Sequence, residues 1–329
     1  MILICFGTRP EYIKVKSLID NMQNIKTCFT GQHKDLLNDI SVDIHLDFTD
    51  YCSNNRLNEI IMNILSKPYI FDNMDYVLVQ GDTTTALAIA ISAFNSSKKV
   101  IHLEAGLRTN DITDPFPEEM NRQLISRIAN IHLCPTENNR QNLINENIKE
   151  NIYVVGNTGL DNIDKTNCIY DNIILVTLHR RNNLELMEKW LNAVEEIAIN
   201  NPEYKFILPL HPNPHVQKHK HILKKVEVIE PMNHIDTINL IKKCKFLISD
   251  SGGIQEEASF LNKKIIICRK STERPEILGK HGILCETYDK LPEIFDNYKQ
   301  TFMVNEKCPF GDGYAYKKIL DIFKLHKIV

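Results

Sequence analysis

Short apolar runs recur along the chain, each followed by a longer stretch of helical pattern. In the first half they are Ile2–Phe6, Cys28–Thr30, Tyr76–Gln80, Val100–Leu103, Ile131–Cys134 and Ile152–Val155. In the second they are Ile173–Leu178, Lys205–Leu210, Val226–Ile229, Phe246–Ser249 and Ile265–Cys268. This alternation marks βα units and parallel sheets. The halves open alike, with Gly7-Thr-Arg-Pro10 after the first run and His179-Arg-Arg-Asn182 after Ile173–Leu178. Both openings put basic residues at the carboxyl end of a strand, where doubly wound sheets receive their ligands. The polar stretch 156–172 is the natural boundary, and two facing sheets would leave a cleft walled by strand-end loops.

The chain has 329 residues, long for one core and comfortable for two α/β domains. Its net charge of −3 gives no electrostatic footprint for nucleic acid, and no apolar run is long enough to span a membrane. The opening Met1–Gly7 reads as a first strand and not as a signal peptide. The nine cysteines form no C-x-x-C pair and no zinc-spaced cluster, which fits a reducing cytoplasm with most thiols buried. Neither half has G-x-G-x-x-G or a lysine-bearing phosphate loop, and no glycine lies between Gly159 and Gly252. That argues against hydride transfer and against an ATPase.

The most informative segment is Asp250-Ser-Gly-Gly-Ile-Gln-Glu-Glu257. A strand breaks into two glycines and a helix, so backbone can approach a ligand and free N–H groups can face an anion. Ser251 adds a hydroxyl, and Glu257 lies far enough along to reach a sugar's hydroxyls. A tight turn with an N-cap is the plain alternative. In Gly7-Thr-Arg-Pro-Glu-Tyr-Ile-Lys14, Pro10 suits a first helical turn and Lys14 lies about one turn beyond Arg9–Glu11, so Arg9 and Lys14 could both face the cleft, although a solvated helix face explains Lys14 equally well. Asp82, in Gln80-Gly-Asp-Thr-Thr-Thr85, is either an N-cap or a carboxylate held at the sheet edge. Glu104 leaves an apolar strand into His102-Leu-Glu-Ala-Gly-Leu-Arg-Thr109, which makes it an acid/base candidate unless Arg108 is simply its ion-pair partner. Glu118 and Glu119 open a helix after Pro117, where capping or a pair with Arg122 would also explain them. His179 and His211 each follow a strand, and Arg269 and Arg274 follow another, a set suited to phosphate oxygens. A sugar nucleotide fits this inventory, with no metal or redox cofactor needed.

Taken in order, these motifs resemble the non-hydrolysing UDP-N-acetylglucosamine 2-epimerases over nearly the whole chain. The resemblance rests on Gly-Thr-Arg-Pro-Glu, Gly-Asp-Thr-Thr-Thr, Glu-Ala-Gly-Leu-Arg-Thr, Pro-Glu-Glu-x-Asn-Arg, Asp-Ser-Gly-Gly-Ile-Gln-Glu-Glu and Thr-Glu-Arg-Pro-Glu. It implies α/β architecture of GT-B type, two Rossmann-like doubly wound parallel-sheet domains. Residues 1–157 would carry the catalytic carboxylates and residues 158–313 the UDP site, with a helix at about 314–329 packing back on the first domain. By matching position, Asp82, Glu104, Glu118 and His179 are implied as catalytic. Arg9, Lys14, Arg122, His211, Ser251, Gly252, Gly253, Glu257 and Arg274 are implied as substrate-binding. The sequence departs from the family pattern at Asn182 and the short loop beyond it. It also departs at Thr237, where relatives place an aromatic residue near uracil. Of the family's regulatory site, Gln32 and His33 are matched.

The implied reaction inverts carbon 2 of UDP-N-acetylglucosamine, giving UDP-N-acetylmannosamine, by anti elimination of UDP and readdition to a glycal. Fixed cations would stabilise the departing diphosphate, and carboxylates would remove and return the proton. The implied state is a cytoplasmic homodimer whose halves close on the nucleotide, with no cofactor. Alternatives are a hydrolysing 2-epimerase, a 2-epimerase of a related UDP-2-acetamido-6-deoxy sugar such as UDP-N-acetyl-L-rhamnosamine, a glycosyltransferase of the same architecture, and a silent sugar-nucleotide binder.

Overall fold

The computed structural model describes residues 1–32, 40–47, 54–211 and 213–328, with the backbone alone at residues 181 and 182. His33 and Cys52 lie outside the described residues. The chain divides into two compact units, Met1–Asn162 with Phe310–Val329, and Ile163–Pro309.

The first unit runs β1 (Ile2–Phe6), α1 (Arg9–Asn21), β2 (Ile25–Phe29), β3 (Ile44–His45), α2 (Arg56–Leu65), β4 (Tyr76–Gln80) and α3 (Thr84–Asn95). It continues through β5 (Lys99–Leu103), α4 (Glu118–Ile128), β6 (Ile131–Cys134), α5 (Glu137–Asn145) and β7 (Ile152–Val154). Its strands form one parallel sheet in the order β3-β2-β1-β4-β5-β6-β7. Successive residues of β1 face opposite sides, as the pleat requires. Leu3 and Cys5 join one core with Ile60, Ile64, Leu87 and Ile89, whereas Ile2, Ile4 and Phe6 join another with Val15 and Leu18 of α1. Every residue of β1 is buried, which is why it reads as a continuous apolar run.

The second unit runs β8 (Ile173–Thr177), α6 (Met187–Asn200), β9 (Lys205–Pro209), α7 (Pro214–Gln217), β10 (Glu227–Ile229) and α8 (His234–Lys243). β11 (Phe246–Ser249), α9 (Gly252–Phe260), β12 (Lys264–Ile267), β13 (Gly282–Leu284) and α10 (Leu291–Gln300) complete it. Its parallel sheet has the order β10-β9-β8-β11-β12-β13. Phe295 of α10 meets Phe206 at 5.6 Å and Phe246 at 5.3 Å between ring centroids, inside a core that also holds Trp190. Each sheet reverses its winding beside its first strand, between β1 and β4 and between β8 and β11. That is where open α/β sheets receive ligands.

The chain then returns to the first unit as α11 (Ala315–Leu325). Ile319 and Phe323 enter the core of Ile2, Ile4 and Phe6. The Asp161 carboxylate accepts from the N–H groups of Ala315 and Tyr316, both at 2.8 Å, and so caps the helix start.

Strands β3 and β13 are absent from the sequence reading. β3 has two residues at a sheet edge, and β13 has three and begins with glycine, so neither gives a detectable run. Cys5, Cys28, Cys134, Cys244, Cys268 and Cys285 are buried free thiols. Among the described residues, no helix is long and apolar enough to cross a membrane.

Candidate active site

In the first unit the candidate side chains come from the ends of β1, β4 and β5 and from the start of α4. Arg9 is exposed at the first position of α1, and Lys14 lies one turn further on. Lys14 is not simply a solvated residue: its ammonium pairs with Glu104, and the two side chains are only 16% and 11% exposed. The other Glu104 oxygen accepts from the amide of Gln80 at the end of β4. Glu104 sits at φ +67°, a left-handed conformation that a non-glycine residue adopts only where its surroundings impose it. Arg108 is not its partner. Its guanidinium is directed at Glu146, with Nε 2.6 Å from Oε1 and Nη2 2.9 Å from Oε2.

Thr83, not Asp82, caps α3, accepting from the N–H of Ala86 at 3.0 Å. Asp82 is thereby left at the strand end, where its carboxylate pairs with Arg122 and its carbonyl accepts from Asn121 Nδ2 at 2.8 Å. Arg122 also meets Glu119 at 3.1 Å, and Glu119 accepts from the N–H of Thr109 at 3.0 Å. Glu119, fully buried, therefore organises the entry to α4, whereas Glu118 is half-buried at its first position. Beneath the turn, His102 Nε2 bonds the carbonyl of Gly81 at 2.8 Å. Burial pulls the His102 imidazole down to about 3, so it is a neutral donor.

The second unit gathers cations. Asp250, fully buried, accepts from the N–H of His179 at 3.0 Å, the N–H of Arg180 at 2.9 Å and Asn183 Nδ2 at 2.9 Å. These bonds tie the turn after β8 to the turn after β11. The His179 ring stacks on His211, from the end of β9, at 4.8 Å. Burial, followed by the charge of His179, pulls His211 below its usual value, against the pull of Asp250.

Glu273 is the hub of the other basic residues. It meets Arg274 Nη1 at 2.5 Å, Arg269 Nη2 at 2.7 Å and Arg180 Nη2 at 3.4 Å, while Arg274 Nε reaches Glu256 at 2.6 Å. Burial raises the Glu273 carboxyl, but the charges of Arg274, Arg269 and Arg180 outweigh it and hold the group well below the carboxylate range. Three guanidinium groups thus gather around Glu273, and one of them also reaches Glu256. Arg269 is 8% exposed, and its Nη1 is buried with no hydrogen-bond partner.

This cluster lies under the N-terminus of α9. A Cβ on Gly252 would stand 2.6 Å from Arg274 Nη1, whereas one on Gly253 would meet nothing within 4 Å. Ser251 is the N-cap residue, but its side chain makes no capping bond. Helix N–H groups above a cluster of arginines can hold a diphosphate. Glu257, further along α9, bonds His234 Nε2 at 2.8 Å. Thr237 lies in the first turn of α8, its hydroxyl bonded to the carbonyl of Asn233 at 2.9 Å.

The structure thus places Arg9, Lys14, Asp82, Glu104, Glu118 and Arg122 in the first unit, and His179, His211, Ser251, Gly252, Gly253, Glu257 and Arg274 in the second. Sequence reasoning gave no role to Glu11, Gln80, His102, Asp250, His234 or Glu273. Glu11 had a signal, since Thr8-x-x-Glu11 is a capping box. Asp250 stands in the quoted octapeptide. Gln80, His102 and Glu273 also stand in quoted segments, and His234 stands in none.

The UDP-N-acetylglucosamine 2-epimerase family model matches residues 17–324. A UDP-N-acetylglucosamine 2-epimerase of Campylobacter jejuni is 40% identical, over 98% of this chain and 96% of the relative. The crystal structure of the Neisseria meningitidis UDP-GlcNAc 2-epimerase bound to UDP-GlcNAc is 35% identical, covers 99% of both chains and superposes with a TM-score of 0.89. The Methanocaldococcus jannaschii enzyme in complex with UDP-GlcNAc and UDP is 30% identical, over 98% of this chain and 99% of that one, with a TM-score of 0.81.

Proposed function

Because the chain belongs to the UDP-N-acetylglucosamine 2-epimerase family, we propose that it inverts carbon 2 of UDP-N-acetylglucosamine to give UDP-N-acetylmannosamine without net hydrolysis. The reaction eliminates UDP in the anti sense and adds it back to the glycal. One observation carries this reading. Two carboxylates at neighbouring strand ends, Asp82 and Glu104, are each held by a buried or half-buried cation, Arg122 and Lys14. Carboxylates so fixed are placed for proton transfer, each well-positioned step being worth about 10²–10⁴-fold in rate. Asp82, Glu104 and Glu118 form the acid/base set.

As UDP leaves, negative charge builds on the diphosphate. Arg274, the α9 N–H groups beside Ser251–Gly253, and His179 take up that charge. These groups are fixed before the reaction by Glu273, Glu256 and Asp250, so little reorganisation is needed as charge develops. Glu257 takes the ribose hydroxyls, held for them by His234.

The test is proton NMR of UDP-N-acetylglucosamine with the enzyme in D₂O. Deuterium should enter carbon 2 as the epimer forms, with UDP-sugar conserved. Steady accumulation of free UDP would instead mean hydrolysis, and an epimer that kept its original proton would exclude the elimination.

A further inference from the structure

We infer that Glu11 is a positioning residue for the reaction: its buried carboxylate locks the turn carrying Asp82 to the turn carrying Arg9. The inference rests on the assignment of Asp82 to proton transfer.

Glu11 is 2% exposed. Its Oε2 accepts from the N–H of Gly7 at 2.9 Å, the N–H of Thr8 at 2.7 Å and the Thr8 hydroxyl at 2.8 Å. The bond from the Thr8 N–H belongs to the capping box at the start of α1, and the other two are equally local. The fourth is not local. Oε1 accepts from the hydroxyl of Thr83 at 2.7 Å, across 72 residues of sequence. Thr83 adjoins Asp82 and also caps α3, so Glu11 holds the one residue that decides where β4 ends and α3 begins.

A capping box alone does not need a buried charge, since an N3 glutamine serves as well. Burial raises the Glu11 carboxyl, and only the bonds from Thr83, Gly7 and Thr8 oppose that rise. One carboxylate therefore bridges two turns, Oε2 holding Gly7–Thr8 and Oε1 holding the Thr83 hydroxyl. Room between them is scarce: a Cβ on Gly7 would stand 2.4 Å from Thr30 Oγ1 and 2.8 Å from Thr85 Oγ1. Lys14, at i+3 from Glu11, reaches Glu104 from the same helix. The first turns of α1 thus set the positions of both carboxylates, Asp82 through Glu11 and Thr83, and Glu104 through Lys14. Displacement of a reacting group by about 1 Å typically lowers rates about 10²-fold.

The experiment compares Thr83→Val, Thr83→Ser, Glu11→Ala and Asp82→Asn. Three quantities are measured: deuterium exchange at carbon 2 with saturating UDP-N-acetylglucosamine in D₂O, calorimetric UDP affinity, and melting temperature. Thr83→Val should slow exchange about 10–100-fold while UDP affinity stays within about twofold, because the Arg9 turn keeps its bonds to Oε2. Thr83→Ser, which restores the hydroxyl, should recover most of the rate. Glu11→Ala should slow exchange at least as much and also weaken UDP binding. The inference is overturned if Thr83→Val and Glu11→Ala exchange within about threefold of the parent while Asp82→Asn is inactive. It is equally overturned if Thr83→Ser is as slow as Thr83→Val, or if the Thr83→Val loss appears only at temperatures where that variant unfolds. Full exchange by Asp82→Asn would instead remove the Asp82 assignment, and this inference with it.

Discussion

The rings of His179 and His211 lie parallel to within 7°, their centroids 4.8 Å apart, although each follows a different strand. Two imidazoles so placed resist carrying charge together. Burial and the charge of His179 both push His211 down, so it enters binding as a neutral group. A diphosphate bound beside these rings, as proposed, would reverse the balance, because it favours the imidazolium.

UDP binding should therefore take up protons. By linkage, a ligand that prefers the protonated protein binds more tightly as pH falls towards the lowered value of free His211, which lies below 6.5. Calorimetry in two buffers of different ionisation enthalpy measures the uptake. His211→Asn should reduce it, and an unchanged value would show that His211 does not feel the nucleotide.

Charge reversal of function should separate the two units. Arg274→Ala and His179→Ala should weaken UDP by about tenfold or more, as expected for the loss of charge-assisted partners. Asp82→Asn and Glu104→Gln should leave UDP affinity near normal and lower the exchange rate at carbon 2 by about 10²-fold or more. Titrating UDP into all four variants decides the matter; matching losses in both groups would contradict the division of labour.

The two adjacent glycines should respond differently to one methyl group. Gly252→Ala forces Arg274 aside, since its Cβ would stand 2.6 Å from Nη1, so it should lower both melting temperature and UDP affinity. Gly253→Ala meets nothing within 4 Å and should keep the parent melting temperature. If backbone at this position touches the diphosphate, Gly253→Ala should still weaken UDP binding. Differential scanning fluorimetry with and without UDP reads both effects.

Acid should destabilise the first unit through its buried histidines. Burial lowers His102 to about 3 and His132 to about 4, from 6.5. A base with a depressed folded value binds protons more readily when unfolded, so stability is held above pH 6.5 and is lost as pH falls towards 4. Each such histidine removes about 1.4 kcal/mol per pH unit in that range. Urea midpoints between about pH 7 and pH 5 should fall less steeply in His102→Gln, whose amide can still donate to Gly81. An equal slope would place the acid sensitivity elsewhere.

Much of this architecture is legible because buried parallel strands are continuous apolar runs, and the ends of β1, β4, β5, β8 and β11 are marked by polar residues at once. Glu104 and the pair Gly252–Gly253 stand out for that reason. The partners do not. Lys14 and Glu104 are 90 residues apart, and no spacing rule connects them. The fork of Arg122 reaches Asp82, 40 residues away, as well as Glu119, and only the fold brings Asp82 to it. Glu273 is equally opaque: only the fold brings Arg180, on another strand-end turn, to its carboxylate.

Ile319 and Phe323 of α11 complete a core whose other members begin at Ile2. Translation makes the strands of the first unit early, but this piece of their core emerges only after residues 163–309 have been synthesised. Until then, Ile4 and Phe6 have lost part of their cover and Asp161 has no helix to cap. The first unit is therefore the last to be finished, and a nascent chain halted near residue 310 would hold a whole second unit beside an incomplete first.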